Sequence, residues 1–548
     1  MLVLRPLGTV SVFGIMGGYG MNVTKILGAP GTGKTSALSK ACVNYVKKDF
    51  NPEEILFVQF RRDTATSTKN LLALVTGKPV SSFKHVRTFH SECTSLLFKH
   101  GLIKQDEAKD YRMNKDDFAE FNKKYGYHVS PDKQFISDSF TVREDPLLGF
   151  YSWQKNNLKD ISAPIEYTGC SGYAKNDLRT FYESYDEFKQ EKGKIDFADV
   201  LNLVLREQLV PDCPIQMYDE AQDMTPAMYA LSSMWSKEAE DVYYAGDPFQ
   251  TIYPFYGADP VHFALQAGKL EVLPESHRLP RNIWNIACDL ITGRTPYKPP
   301  IIKTQDKDGK IIRVPSAGLK DFLGNHFYPR LGKDSSVLHL ARTNNQCAKT
   351  SKVLSELGIL FSGVCGWTSP EMNLYNAIIK VRNGEILTPR NYASLVQYTA
   401  KSNILYGKED TKENIIKNII DEKIRFSPIM FEPSFWNSLK SSNPCSKLTL
   451  RGYFTKEKIE GALKLSIPQI KPNQIKVRVL TIHGAKGLEA QNVILDAFSP
   501  VPVRKAQLTA KGREEESYVW YVALTRTKKN LFVITDPNHN YPIPGVCS

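Results

Sequence analysis

The 548-residue chain lacks the marks of several protein classes. Its nine cysteines lie singly between Cys42 and Cys547. No C-x-x-C pair and no Cys/His ligand spacing occurs among them, which argues against a zinc or iron–sulfur site and against a secreted disulfide framework. A reducing, cytoplasmic setting is expected. No stretch approaches the ~18 uninterrupted apolar residues of a membrane span, and there is neither an internal repeat nor a low-complexity tract. Residues 1–20 are apolar but glycine-rich, without the clean apolar centre and small-residue cleavage site of a signal peptide. We read them as a poorly ordered extension, with Met21 as an alternative start.

What remains is ordinary globular composition, 42% hydrophobic and 24% charged, in a chain long enough for about three or four domains. Lys and Arg number 71 against 58 Asp and Glu, a net charge of +13. Such a surplus hints at a polyanionic partner.

The most informative stretch is Gly28-Ala29-Pro30-Gly31-Thr32-Gly33-Lys34-Thr35. It follows an apolar run, Val23 to Leu27, and precedes a helical pattern from Ser36 to Lys47. Strand, glycine-rich loop and helix form the context of a phosphate-binding loop. Glycines let the backbone wrap an anion, and the helix N-terminus adds partial positive charge. Lys34 can reach the outer phosphates, and the Thr35 hydroxyl can ligate Mg²⁺. Ile215-Gln-Met-Tyr-Asp219-Glu220 then reads as a short strand ending in paired acids. One carboxylate there can hold Mg²⁺ while its neighbour activates the attacking water. Gln216 is unusually polar for that strand. After the strand pattern Val242 to Gly246, Gln250 is placed to sense a γ-phosphate. The aromatics from Ile252 to Ala258 offer rings on which a base could lie.

Strand and helix patterns alternate along the rest of the chain: Ile55 to Phe60, Val86 to Phe89, then again from Val337 and from Val477. That alternation indicates parallel, doubly wound sheets. Two stretches of mixed charge and helical texture interrupt it, residues 92–194 and 366–476. The Pro/Lys-rich stretch Thr295 to Arg313 reads as a connection between globular parts.

An ordered series of motifs makes the reading specific. Gly28 to Thr35 is followed by Thr88-Phe-His-Ser91, Asp196-Phe-Ala-Asp199, Asp219-Glu-Ala-Gln-Asp223 and Gly246-Asp-Pro-Phe-Gln250. Beyond those lie Ser276-His277-Arg278, Arg342-Thr-Asn344, Thr481 to Glu489, and Tyr521-Val-Ala-Leu-Thr-Arg526. From about Met21 to Ile534 the chain resembles superfamily 1 DNA helicases of the UvrD/Rep type. The resemblance implies an α/β protein of two RecA-like P-loop domains with parallel sheets, each carrying a mostly helical insertion. The domains would be 21–91 with 195–275, and 276–365 with 477–548; the insertions would be 92–194 and a reduced 366–476. ATP, with Mg²⁺, would bind at Gly28 to Ser36, with Thr35 and Asp219 on the metal. Glu220 would be the catalytic base and Gln250 the γ-phosphate sensor. Arg278 and Arg526 would reach the phosphates from the second domain, and Glu489 would lie near the ribose. Phe60, Thr88, His90, Phe255, Tyr256 and His483 would contact nucleic acid. Single-stranded DNA and duplex junctions are the implied substrates, with 3′-to-5′ movement; an RNA-directed helicase and a nucleic-acid-binding protein with little motor activity are the rival readings.

The chain also departs from this family. No glutamine-containing adenine-recognition segment precedes the phosphate loop. Ser276-His277-Arg278 stands where the family has Asn-Tyr-Arg, so the aromatic expected on adenine is a histidine or is absent. Arg61-Arg62-Asp63 replaces a Thr-Asn-Lys type sequence, and Phe255 a frequent tryptophan.

Overall fold

The computed structural model describes residues 22–103, 111–130, 145–162, 167, 170, 172–332, 335–450, 452–467 and 469–547. The extension 1–20 and Met21 lie outside these residues. Two compact units emerge, Met1–Asp308 with Lys505–Thr525, and Gly309–Arg504 with Arg526–Ser548.

The first unit is built on a six-stranded parallel sheet. Its strands are β1 (Asn22–Leu27), β2 (Ile55–Val58), β3 (Val86–Arg87), β4 (Ile215–Tyr218), β5 (Asp241–Gly246) and β6 (Lys269–Val272), in the order β3-β2-β4-β5-β1-β6. Ile55, Leu56, Phe57 and Val58 are all buried, as a parallel strand covered on both faces requires. The run ends at Val58 rather than at Phe60. Likewise β3 stops at Arg87, because Thr88 caps the helix Phe89–Lys99 by accepting from Ser91 N at 3.4 Å. A short parallel pair, β7 (Glu275–Pro280) with β8 (Lys303–Gln305), follows.

Gln216, the polar residue of β4, is fully buried and satisfied. Its Nε2 donates to the carbonyls of Cys213 (3.2 Å) and Trp235 (2.9 Å), and its Oε1 accepts from Tyr218 at 2.8 Å. A buried amide with its bonds made costs little, whereas one left bare is expensive.

Residues 111–196 are mainly helical among those described, with a separate apolar core around Phe121, Phe150, Phe181 and Phe188. Asp196 and Asp199 form the capping box of the helix Phe197–Arg206. Lys189, itself buried, pairs with both carboxylates. Burial alone would raise the Asp199 carboxyl, but Lys189 and Lys155 hold it low. The Asp196-Phe-Ala-Asp199 motif thus anchors this helical region.

The second unit has its own six-stranded parallel sheet: β9 (Lys310–Pro315), β10 (Val337–Ala341), β11 (Phe361–Gly363), β12 (Val477–Thr481), β13 (Ala490–Asp496) and β14 (Thr527–Thr535), in the order β11-β12-β10-β13-β14-β9. The stretch Thr295 to Arg313, read as a plain connection, therefore contributes strand β8 and most of β9. Both are edge positions, where lysines and a proline are tolerated and blunt the alternation that marks a strand. Five helices from Ser369–Asn383 to Thr455–Lys464 share one continuous apolar core with this sheet. Both sheets are RecA-like in being parallel and flanked by helices.

Candidate functional site

The phosphate loop leaves the C-terminal end of β1 and enters the helix Lys34–Lys47. Gly31 and Gly33 hold φ of 77° and 88°, a left-handed conformation that favours glycine. A Cβ on Gly28 would lie 2.3 Å from Thr32 Oγ1 and 2.9 Å from Lys34 Cγ. The loop is closed by short bonds: Thr32 Oγ1 donates to Ala29 O at 2.8 Å, and the buried Lys34 Nζ donates to Gly28 O at 2.8 Å. The ammonium is therefore folded over the cradle. Ser36 lies exposed in the first turn of the helix.

β4 lies one strand away from β1, across β5, and its end brings Asp219 to the same side. Thr35 Oγ1 donates to Asp219 Oδ2 at 2.6 Å, and Gln59 Nε2 donates to the same oxygen at 3.2 Å. Burial and the adjacent Glu220 push the Asp219 carboxyl up to about 6, against the opposing pull of Thr35, Gln59 and Lys34. A hydroxyl and a buried carboxylate in contact beside a phosphate loop are a fitting donor set for Mg²⁺. That ion takes oxygen ligands and binds through one or two protein groups plus substrate phosphates. Among the described residues no group of three or more His, Cys, Asp or Glu gathers as a metal cluster, so such an ion would depend on the nucleotide for the rest of its shell.

Glu220 holds φ 52°, ψ 40°, an uncommon conformation for a non-glycine residue. Its Oε2 accepts from Gln222 Nε2 at 2.5 Å, and Gln222 Oε1 accepts from Asp247 N at 2.9 Å. Asp247 Oδ2 then accepts from Gln250 Nε2 at 2.9 Å and from Tyr521 OH at 3.3 Å. A buried chain of amides and carboxylates thus links Glu220 to Gln250 and to the helix Ala510–Leu524. Burial raises the Asp247 carboxyl despite Lys34 and Gln250 nearby.

β7 runs beside the loop. Ser276 Oγ donates to Pro30 O at 2.7 Å, and His277 N donates to Gly31 O at 3.1 Å. A Cβ on Gly31 would come within 2.4 Å of Arg278 Cβ. Arg278 accordingly belongs to the first compact unit, not the second as its motif suggested. The strand that carries it packs on the phosphate loop, which a motif series cannot reveal. His277 is exposed.

In the second unit, Arg526 is buried and donates Nη1 to Leu488 O at 3.3 Å. Glu489 pairs with Lys528. His483 opens a short turn in which Gly484 N donates to Thr481 Oγ1 at 3.1 Å.

The nucleic-acid candidates separate by exposure. Phe60 stacks on Tyr253 with centroids 5.4 Å apart and planes 9° apart, and Tyr253 meets Phe255 edge-on at 6.1 Å. Phe255 is 42% exposed, so an open ring caps a rigid aromatic row. Tyr256 and His90 are buried instead. His90 stacks on Phe197 at 3.5 Å, and burial, with Arg112 nearby, pushes its imidazole down to about 3. Phe255 is thus the most exposed of these rings. Thr88 spends its hydroxyl on the helix cap described above.

Sequence reasoning missed four participants: Gln59, Gln222, Ser276 and Tyr521. Each is polar and almost fully buried; Gln222, Ser276 and Tyr521 lie within the quoted motifs and Gln59 precedes Phe60, but residue type alone did not show which buried polar group each would meet.

Residues 20–270 match the model of the UvrD/REP helicase N-terminal domain, and residues 448–538 match that of the UvrD-like helicase C-terminal domain, together more than half of the chain. Among curated relatives, a probable DNA helicase II homolog of Mycoplasma pneumoniae is 22% identical, covering 94% of this chain and 82% of its own. The ATP-dependent DNA helicase PcrA of Staphylococcus epidermidis is 22% identical over 93% of this chain and 80% of its own. The ATP-dependent DNA helicase Rep of Buchnera aphidicola is 20% identical over 92% and 91%.

Proposed function

Because the chain belongs to the UvrD/REP helicase family and is an ATP-dependent DNA helicase in kind, we propose that it moves 3′-to-5′ on single-stranded DNA and unwinds duplex ahead of it, using Mg²⁺ with ATP. The observation that carries the reading is the 2.6 Å bond from Thr35 to Asp219, with Glu220 as the next residue. That the candidate phosphate cradle, the candidate metal-holding oxygens and the candidate base lie side by side supports the reading.

The chemistry is positional and electrostatic. Backbone amides of Gly31 to Lys34 and the helix N-terminus receive the phosphates. The Lys34 ammonium, held at Gly28 O, would turn to the outer phosphates when they bind. Mg²⁺, when bound, would draw charge from the β- and γ-phosphates. Glu220, oriented by Gln222, accepts a proton from the attacking water. Arg278, alongside Gly31, offsets charge on the transferring group. Gln250 and Asp247 connect the base to the helix bearing Tyr521, a route by which phosphate occupancy alters backbone beyond the cradle. Arg526 and Glu489 are proposed to act on nucleotide from the second unit. The two domains with insertions at 92–194 and 366–476 are the proposed frame for alternating grip on DNA, in which Phe255, backed by Phe60, stacks on a base.

Strand displacement on duplexes with a 3′ or a 5′ single-stranded tail tests the polarity. ATP-dependent release from the 3′-tailed substrate is expected. Preference for the 5′ tail would refute the direction, and equal stimulation of ATP hydrolysis by RNA would refute the restriction to DNA.

A further inference from the structure

We propose that Ser276 is a positioning residue that pins the crown of the phosphate loop to the strand carrying Arg278, and so sets how that guanidinium meets the terminal phosphate. The inference rests on the reading that Arg278 faces the nucleotide.

Two consecutive residues of β7 bond two consecutive carbonyls of the loop. Ser276 Oγ donates to Pro30 O at 2.7 Å, and His277 N donates to Gly31 O at 3.1 Å. In a trans peptide the N–H points opposite to the C=O. Tying the Pro30 carbonyl to β7 therefore turns the Gly31 N–H away from β7. Ser276 is 1% exposed, so no water competes for its hydroxyl. The same oxygen also lies 3.4 Å from the backbone nitrogens of Arg278 and Leu279, which bends the chain around it.

Arg278 then packs on the crown with no slack. Besides the 2.4 Å approach to its Cβ, a Cβ on Gly31 would lie 3.3 Å from Arg278 Nε and 3.0 Å from Ser276 Oγ. Only glycine, at φ 77°, lets the arginine stem lie this close. One hydroxyl thus fixes the loop crown and the origin of the arginine side chain as a single piece. Without it, Arg278 would still lie near the loop, but the distance from guanidinium to phosphate would no longer be set.

The test uses the full chain with Ser276→Ala, Arg278→Ala and the double variant. Affinities for ADP and for a non-hydrolysable ATP analogue are measured in parallel, together with melting temperature. Ser276→Ala is expected to lower the preference for triphosphate over diphosphate about five-fold, the effect of one lost hydroxyl–carbonyl bond. Arg278→Ala is expected to lower it further, and adding Ser276→Ala in that background to change it less than two-fold, since the two act through one contact. Equal loss for both nucleotides, an unchanged ratio, or full additivity would overturn the proposal while leaving nucleotide binding intact. A wild-type chain that binds neither nucleotide would overturn the functional reading and, with it, this one.

Discussion

Thr35 Oγ1 and Asp219 Oδ2 lie 2.6 Å apart although 184 positions separate them in the chain. The bond joins the first turn of the helix Lys34–Lys47 to the end of β4, and it is possible only because β5 is the single strand between β1 and β4. If this pair holds a metal ion, Asp219→Asn should lower ATP turnover at least ~10²-fold by removing the charge while keeping the shape. Adding Thr35→Ala should then cost little more, because the two act as a unit. Turnover against Mg²⁺ concentration checks this. A variant with wild-type Mg²⁺ dependence would contradict it.

Glu220 has a narrower role. Glu220→Gln keeps an oxygen for Gln222 and removes the base, so nucleotide affinity should stay within about two-fold while hydrolysis falls ~10²- to 10⁴-fold. Gln222→Ala should produce a milder loss of the same kind by letting Glu220 swing. Parallel binding and single-turnover measurements separate these effects; loss of binding in Glu220→Gln would point to a structural residue instead.

The exposed ring of Phe255 should matter to DNA and not to the fold. Phe255→Ala is expected to weaken single-stranded DNA binding by about 1–3 kcal/mol without lowering the melting temperature. Tyr256→Phe, at a buried ring, should leave DNA affinity unchanged. Fluorescence titration with an oligonucleotide decides, and equal effects from both would break the division by exposure.

His90 predicts an acid dependence of stability. Its imidazole is pushed down to about 3 by burial and Arg112, whereas a histidine in the unfolded chain titrates near 6.5. Between those values the unfolded state binds the extra proton. The contribution is therefore whole above about pH 6.5 and is lost as pH falls toward 3, at up to ~1.4 kcal/mol per pH unit. His90→Phe, which retains a ring against Phe197, should show a smaller drop in melting temperature between pH 7.5 and pH 5 than the wild type. Identical slopes would show that His90 is not titrating as described.

In the second unit Lys458 is buried, with bonds to Glu371 at 2.7 Å and to Gly366 O at 2.9 Å, while Thr455 donates to Glu371 at 2.5 Å. Lys458→Met leaves Glu371 buried without its cation, a loss of about 3–5 kcal/mol. In a unit of this size that lowers its melting temperature by roughly 10 °C. Adding Glu371→Leu should recover much of the loss. A single variant that melts like the wild type would contradict the pairing.

Much of this was legible in the sequence where chemistry is local. The cradle Gly28 to Thr35 and the acids after Ile215 to Tyr218 each sit inside one strand–loop segment, so periodicity and residue type were enough. β8 and β9 were not legible, because edge strands rich in lysine and proline lack the apolar run of a central one. The placement of Arg278 with the first unit depends on a tertiary contact between β7 and Gly31. That His90 and Tyr256 are buried while Phe255 is exposed was not legible for a related reason. An aromatic near a DNA motif looks the same in sequence whether its ring faces solvent or, like His90, lies flat against Phe197.

The most direct measurement is steady-state ATP hydrolysis by the purified chain, with and without single-stranded DNA, beside Lys34→Ala and Glu220→Gln. The account predicts strong stimulation by DNA in the wild type and a loss of at least ~10²-fold in each variant. Hydrolysis that DNA does not stimulate, or that survives in Lys34→Ala, would contradict it.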